Sequence, residues 1–163
     1  MKSTELKYSK TRIDQAGELL KNKTSTAADI AGALDILSSW RAYHAMPLDT
    51  FATVLRQRTK KINAQAIVAQ RLKRTSSILL KLSNHKTMRL SAMQDIGGLR
   101  GILDTTEDVY KLLDLYKKSK SKHSLFSLDD YIESPKKDGY RSIHLVYKLA
   151  KHPKLFLDRK SVV

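Results

Sequence analysis

Cysteine is absent from this 163-residue chain, which excludes a disulfide framework and any thiolate metal site. The five histidines, at positions 44, 85, 123, 144 and 152, do not fall at a zinc-ligand spacing. A reducing, cytoplasmic location fits that composition. Long apolar runs are also missing: the first fifteen residues are polar and charged, and no later stretch approaches the roughly 20 apolar residues that span a bilayer. Proline is sparse, with three residues, and neither an internal repeat nor a long linker is visible. Acidic residues are few as well. Sixteen Asp and Glu against thirty-one Lys and Arg leave a formal net charge of +15, a field that attracts phosphate-rich partners such as nucleotides or RNA. Charge alone does not choose between those partners, and a merely solubilising surface is the alternative.

What is present is enough for one core, with 41% hydrophobic residues, but the length is too short for two full catalytic domains. The N-terminal third reads helical. Ile30, Leu34, Leu37 and Trp40 recur at three- and four-residue steps, and Leu48, Phe51, Leu55 and Ile62 do so again, which predicts two amphipathic helices split at Pro47. A helix over Ile13 to Leu20 is expected to be interrupted by Gly17. From Ala64 the pattern alternates: Ala66 to Lys73 strand-like, Ser76 to Leu82 helical, Ile96 to Leu103 strand-like, Val109 to Tyr116 helical. The Lys117 to Lys122 run reads as an exposed loop, followed by strands over Ser124 to Ile132 and Tyr140 to Leu149. The expected class is α/β (α+β), a mixed sheet flanked by helices, with a helical extension over 1–63 and a core over 64–163. Lys160 to Val163 reads as the opening of another strand at which the chain stops, so a piece of a longer protein is expected.

Three stretches carry chemistry. In RLKRTSSILLK, a period of two puts Arg71 and Lys73 on one strand face, and Ser77 and Lys81 stand one turn apart on the next helix. Cations and a hydroxyl can then converge on a polyphosphate; a solvated basic edge is the competing reading. In MQDIGGLRGIL, Asp95 precedes an apolar strand, Gly97 and Gly98 allow close backbone approach, and Arg100 follows. A carboxylate there is a natural Mg²⁺ ligand, against the plainer reading of a strand-entry Asp and a glycine bend. In DYIESPKKDGYRSIHLVY, Pro135 and Gly139 bracket a turn bearing Lys136 and Lys137. The following strand puts Tyr140, Ser142, His144 and Val146 on one face and Arg141, Ile143, Leu145 and Tyr147 on the other. Tyr140 could stack on a flat base while Lys136 and His144 meet phosphates or a hydroxyl. A sheet-edge aromatic and a satisfied imidazole would look the same.

Taken in order, R-x-K with Ser and Lys downstream, D-I-G-G-L-R, and D-Y-I-x-x-P-K-x-x-G-Y-R-S-x-H resemble the synthetase domain of the RelA/SpoT family over about residues 64 to 149. The WRAYHAMPLDTF segment is similar to N-terminal extensions of short, hydrolase-free members. The resemblance implies a nucleotidyltransferase-like fold and transfer of pyrophosphate from ATP to the 3′-hydroxyl of GTP or GDP, giving (p)ppGpp and AMP. Carried over by position, Arg71, Lys73, Ser77 and Lys81 would hold ATP and Asp95 would bind Mg²⁺. Lys136, Tyr140 and His144 would shape the acceptor site, with Tyr140 stacking on guanine, and Asp95, Lys81 and His144 would be catalytic. Arg100 and Arg141 fall within the matching motifs without an assigned role. In the family a later strand bears Glu in an E-x-Q-x-R-T pattern that completes the magnesium site; this chain ends where that strand is expected to begin, so Asp95 alone and an inactive chain are the expectation.

The resemblance leaves other functions open. Some short members are toxins that pyrophosphorylate the 3′ end of tRNA, for which the +15 charge and the Lys117 to Lys122 run would suit the RNA backbone. An antitoxin partner and a homo-oligomer are compatible with that class. A non-catalytic RNA-binding module of the same fold is a third reading. Hydrolysis is not expected, because no histidine is followed by Asp.

Overall fold

The structure, a computed structural model, describes residues 6–150 and 156–162, the latter stretch as backbone only. Three helices open it: α1 (Lys10–Lys21), α2 (Ala27–Tyr43) and α3 (Ala45–Ile62). Ser9 caps α1 through the Arg12 N–H, and Thr26 with Asp29 closes a reciprocal capping box on α2. The break expected at Pro47 falls at His44 instead, and Pro47 sits in the first turn of α3, where no intrahelical N–H partner is needed. The apolar face expected on α2 is also rotated. Ile30 and Leu34 are 39% and 36% exposed, whereas Ala33, Ile36, Leu37 and Trp40 enter the core.

Gly17 does not interrupt α1. A Cβ built there would lie 2.8 Å from the Leu90 Cβ, so the glycine lets α1 seat on the single 3₁₀ turn Leu90–Ala92. Gly17→Ala sets a helix-propensity gain of about 1 kcal/mol against an overpacking penalty of about 1–3 kcal/mol. The clash involves the stiff root of a fully buried leucine, so a net loss is expected, read as a lower urea midpoint at unchanged m-value. A higher midpoint would show that Leu90 gives way.

Five strands follow: β1 (Ile67–Leu72), β2 (Gly97–Ile102), β3 (Ser124–Asp130), β4 (Ile143–Lys148) and β5 (Phe156–Val162). Their order in the sheet is β1-β2-β5-β4-β3, with β2 and β5 parallel and the other neighbours antiparallel. This is the mixed sheet expected from the sequence. Helix α4 (Thr75–Asn84) follows β1 and α5 (Thr106–Lys117) follows β2. α3 and α5 cover one face: a Cβ on Gly101 would meet Thr59, Leu55 and Leu112 at 3.5–3.9 Å. One continuous cluster of buried side chains runs from Ile13 to Leu149, joining the N-terminal helices to the sheet.

The strand boundaries move for identifiable reasons. β3 ends at Asp130 rather than Ile132, because the Asp130 carboxylate accepts the N–H groups of Ile132 and Glu133 at 2.9 and 3.1 Å and starts a turn. β4 begins at Ile143 rather than Tyr140. The bond from Tyr131 N–H to the Ser142 carbonyl at 2.9 Å is the last in register with the ladder, and the Tyr140 carbonyl instead accepts from Lys136 N–H at 3.3 Å, inside the loop. The strand expected to open at Lys160 begins at Phe156, and Val163 lies outside the described residues.

His44 makes the core pH-sensitive. Burial pushes its imidazole down to about 4, only partly offset by the hydrogen bond between Nδ1 and the Trp40 carbonyl at 2.8 Å. Nε2 is buried without a partner, so nothing is at hand to stabilise a second ring proton. The unfolded chain therefore takes up this proton first. The contribution of neutral His44 is complete above the unfolded value near 6.5 and is lost as pH falls through about 4, amounting to at most about 3 kcal/mol. Urea unfolding from pH 7 to pH 4 is expected to show this decline, and a flat profile would show that His44 is hydrated.

Candidate active site

Residues paired in register share a face, so Ala69 and Arg71 of β1 lie with Arg100 and Gly98 of β2 on the face opposite α3. Lys73 continues that row just past β1. Its ammonium donates to Asp95 Oδ2 at 3.0 Å, and the Lys81 ammonium, from α4, donates to Oδ1 at 2.9 Å. Asp95 is thus gripped by two cations from two elements. Burial alone would push its carboxyl up; the hydrogen bonds and charges of Lys81 and Lys73 outweigh that and hold it below the ordinary carboxylate value. Ser77 sits half-buried one turn before Lys81 on the same helix. The N-terminus of α4 carries no side-chain cap, which leaves its first N–H groups open to an anion.

Arg71 and Arg100 are both exposed and, with Ala69, Gly98 and Asp95, line a slot of about 190 Å³. Gly98 does not serve close packing. A Cβ there would meet nothing within 4 Å, so the glycine leaves the floor of this slot flat.

The second wall is built by β3 and β4. Asp129 pairs with His144 and Ser127 with Val146, and these four residues face Lys81, Gln94 and Asp95 across a cleft of about 430 Å³. Beyond it, Tyr140 Oη lies 2.8 Å from His144 Nε2. Tyr131 stands edge-on to both rings, 5.0 Å from His144 and 6.1 Å from Tyr140 between centroids. The Lys136 ammonium is 4.3 Å from the Tyr131 ring centre and 5.3 Å from that of Tyr140. Gly139, at φ +78°, turns the loop so that Lys136 and Tyr140 come together.

The structure therefore gathers Lys73, Lys81 and Asp95 into one bonded group, sets Arg71 at the adjoining slot, and forms a separate cluster from Lys136, Tyr140 and His144 that meets the first across the cleft. Sequence reasoning passed over Asp129, Ser127 and Tyr131. Tyr131 lies inside the D-Y-I motif, and a period of two along β3 would have put Ser127 and Asp129 on one side. By backbone register, β5 places Asp158 between Gly98 and Val146.

A mixed five-stranded sheet with an open, cation-lined face defines the class of fold. Its architecture matches the small alarmone synthetase 1 of Bacillus subtilis, solved with its product pppGpp, at a TM-score of 0.60 and 23% identity over 76% of this chain and 73% of that one. A GTP pyrophosphokinase family protein from Streptococcus pneumoniae matches at 0.65 and 22% identity, over 77% and 68%. The region found in RelA / SpoT proteins matches residues 70–157, and the chain belongs to the RelA/SpoT family. The GTP pyrophosphokinase rsh of Brucella melitensis biotype 1 is 32% identical over 102 residues, which is 60% of this chain but only 13% of that protein.

Proposed function

We propose that this chain is the catalytic core of a (p)ppGpp synthetase, transferring the β,γ-diphosphate of ATP to the 3′-hydroxyl of GTP or GDP. The observation that carries the reading is the single cleft on which both half-sites open. Asp95 and Lys81 form one wall, and Asp129 and His144 form the other, next to the Tyr131–Tyr140–Lys136 cluster.

Lys73, Lys81 and the open end of α4 receive the donor phosphates, and the Arg71–Arg100 slot offers a flat, cationic seat for adenine. Tyr140 presents a ring to guanine, and Lys136 meets the acceptor phosphates. The acceptor 3′-oxygen attacks the β-phosphorus of ATP. The bond from that phosphorus to the α,β-bridging oxygen breaks, AMP leaves with the bridging oxygen, and the hydroxyl proton passes to the cleft wall bearing His144 and Asp129. Such transfers depend chiefly on position and charge neutralisation.

Asp95 suits Mg²⁺: its carboxylate is half-buried and ionised, and magnesium is usually held by one or two carboxylates together with substrate phosphates. Among the described residues no group of three His, Asp or Glu side chains is close enough to hold a metal unaided, so the fit is to a magnesium–nucleotide pair. When bound, the metal would neutralise charge on the transferred diphosphate. Lys73 and Lys81 hold the carboxyl below its ordinary value at the cleft wall.

The net charge of +15 favours one second reading, a tRNA 3′ end as acceptor. Incubation with Mg²⁺, γ-labelled ATP, GDP, GTP and deacylated tRNA separates the two. Label on guanine nucleotide supports the synthetase, and label on tRNA, weakening steeply with salt, supports the second reading. Label on neither, in this chain and in one extended past Val163, overturns both and leaves a non-catalytic binding module.

A further inference from the structure

Lys73 stands at the junction of β1 and α4, and the two peptide groups that flank it are each held by a hydrogen bond. Its N–H donates to the Ile96 carbonyl at 2.8 Å, next to Asp95. Its own carbonyl accepts the Arg41 Nε–H, also at 2.8 Å. Arg41 comes from the last turn of α2, upstream of the region that matches the family. That turn is a firm base, because Trp40 is 2% exposed and His44 is fully buried. The guanidinium therefore reaches across from the core to the Lys73–Arg74 peptide, which follows the Lys73 side chain and leads into α4.

We infer that Arg41 is a positioning residue of the donor-phosphate site, fixing the Lys73–Arg74 peptide so that the Lys73 ammonium and the open first turn of α4 converge on the polyphosphate. The inference rests on the pyrophosphate-transfer reading. It makes the N-terminal helical layer part of the ATP site rather than an appendage to it. Lys73 is suited to this control: its side chain is only 15% exposed, and its freedom is already limited by the bond to Asp95. Loss of one more anchor shifts the ammonium by a fraction of its reach, and misplacement on that scale can lower a rate by as much as about 10²-fold.

The test titrates wild type, Arg41→Ala and Arg41→Lys with the α,β-methylene analogue of ATP and Mg²⁺, and separately with GDP, and follows amide hydrogen exchange without nucleotide. Arg41→Ala is expected to bind the ATP analogue roughly 10-fold more weakly and GDP as well as wild type does. The Lys73 amide should exchange faster while α3 and β4 keep their protection. Arg41→Lys, whose ammonium can reach the same carbonyl, should recover most of the lost affinity. Unchanged ATP affinity in a folded Arg41→Ala protein overturns the inference. So does equal weakening of both nucleotides with exchange raised throughout, the signature of a merely structural arginine. If wild type binds no ATP analogue, the proposed function fails. The inference then falls with it, whereas wild-type binding of the analogue that Arg41→Ala leaves unchanged sinks the inference alone.

Discussion

Asp95→Asn is expected to lower pyrophosphate transfer by roughly 10³-fold while the protein stays folded. Two effects compete in this substitution. Removing the negative charge leaves the Lys73 and Lys81 ammonium groups facing each other across an amide, and at an effective dielectric constant near 20 two such charges roughly 5 Å apart repel by about 3 kcal/mol. That is an upper bound, since the Lys81 side chain is 30% exposed and can swing into water. The folded state also loses the burial penalty that Asp95 carries when ionised. Stability should therefore change little. In the proposed reaction transfer has no such compensation, because an amide would not replace the carboxylate toward Mg²⁺ and the ammonium groups lose the acceptor they share. The check is a turnover measurement at saturating nucleotide and Mg²⁺ beside a thermal melt. Transfer within tenfold of wild type would remove Asp95 from the chemistry, and a collapsed melting temperature would make it a structural anchor instead.

The arrangement of this wall was legible in the sequence because it is local. Arg71 and Lys73 share a face through the period of two, and Ser77 and Lys81 share one through a helical turn. The other features depend on contacts between elements. α2 is apolar nearly all round, so the Ile30, Leu34, Leu37 series and the Ala33, Leu37, Trp40 series both fit a helical period, and packing against α1 and α3 selects the second. Gly17 looks like a helix breaker until Leu90 is set against it. The central place of β5 between β2 and β4 is a non-consecutive pairing that no local pattern encodes, and with it comes the register that sets Asp158 between Gly98 and Val146. The hold of Arg41 on Lys73 spans 32 positions of sequence and carries no motif. The acceptor loop lies between these cases: Pro135 and Gly139 announced a turn, whereas the early end of β3 follows from the Asp130 carboxylate taking two backbone N–H groups.

Tyr140 offers the second large effect, and paired substitutions separate its two contacts. Its ring can stack on a base, an interaction worth about 1–3 kcal/mol by alanine substitution, and its hydroxyl lies 2.8 Å from His144 Nε2, a net hydrogen bond of about 0.5–1.5 kcal/mol. Tyr140→Ala should therefore raise the KM for the guanine acceptor by roughly 5- to 150-fold and leave the KM for ATP near its wild-type value, because the ring meets Tyr131, His144 and Lys136 on the proposed acceptor side. Tyr140→Phe keeps the ring. It should spare the acceptor KM and lower kcat by roughly 2- to 10-fold, since His144 Nε2 loses its bond to the tyrosine hydroxyl. Neither variant removes the Lys136 ammonium, which lies 4.3 Å from the Tyr131 ring centre, so the cation proposed for the acceptor phosphates is kept and the ring effect is isolated. Should Tyr140→Phe match Tyr140→Ala in acceptor KM, the hydroxyl and not the ring would be what binds, and guanine stacking would have to move to Tyr131. Should both variants raise the ATP KM equally, the two half-sites would be one, and the division of the cleft between donor and acceptor would fail.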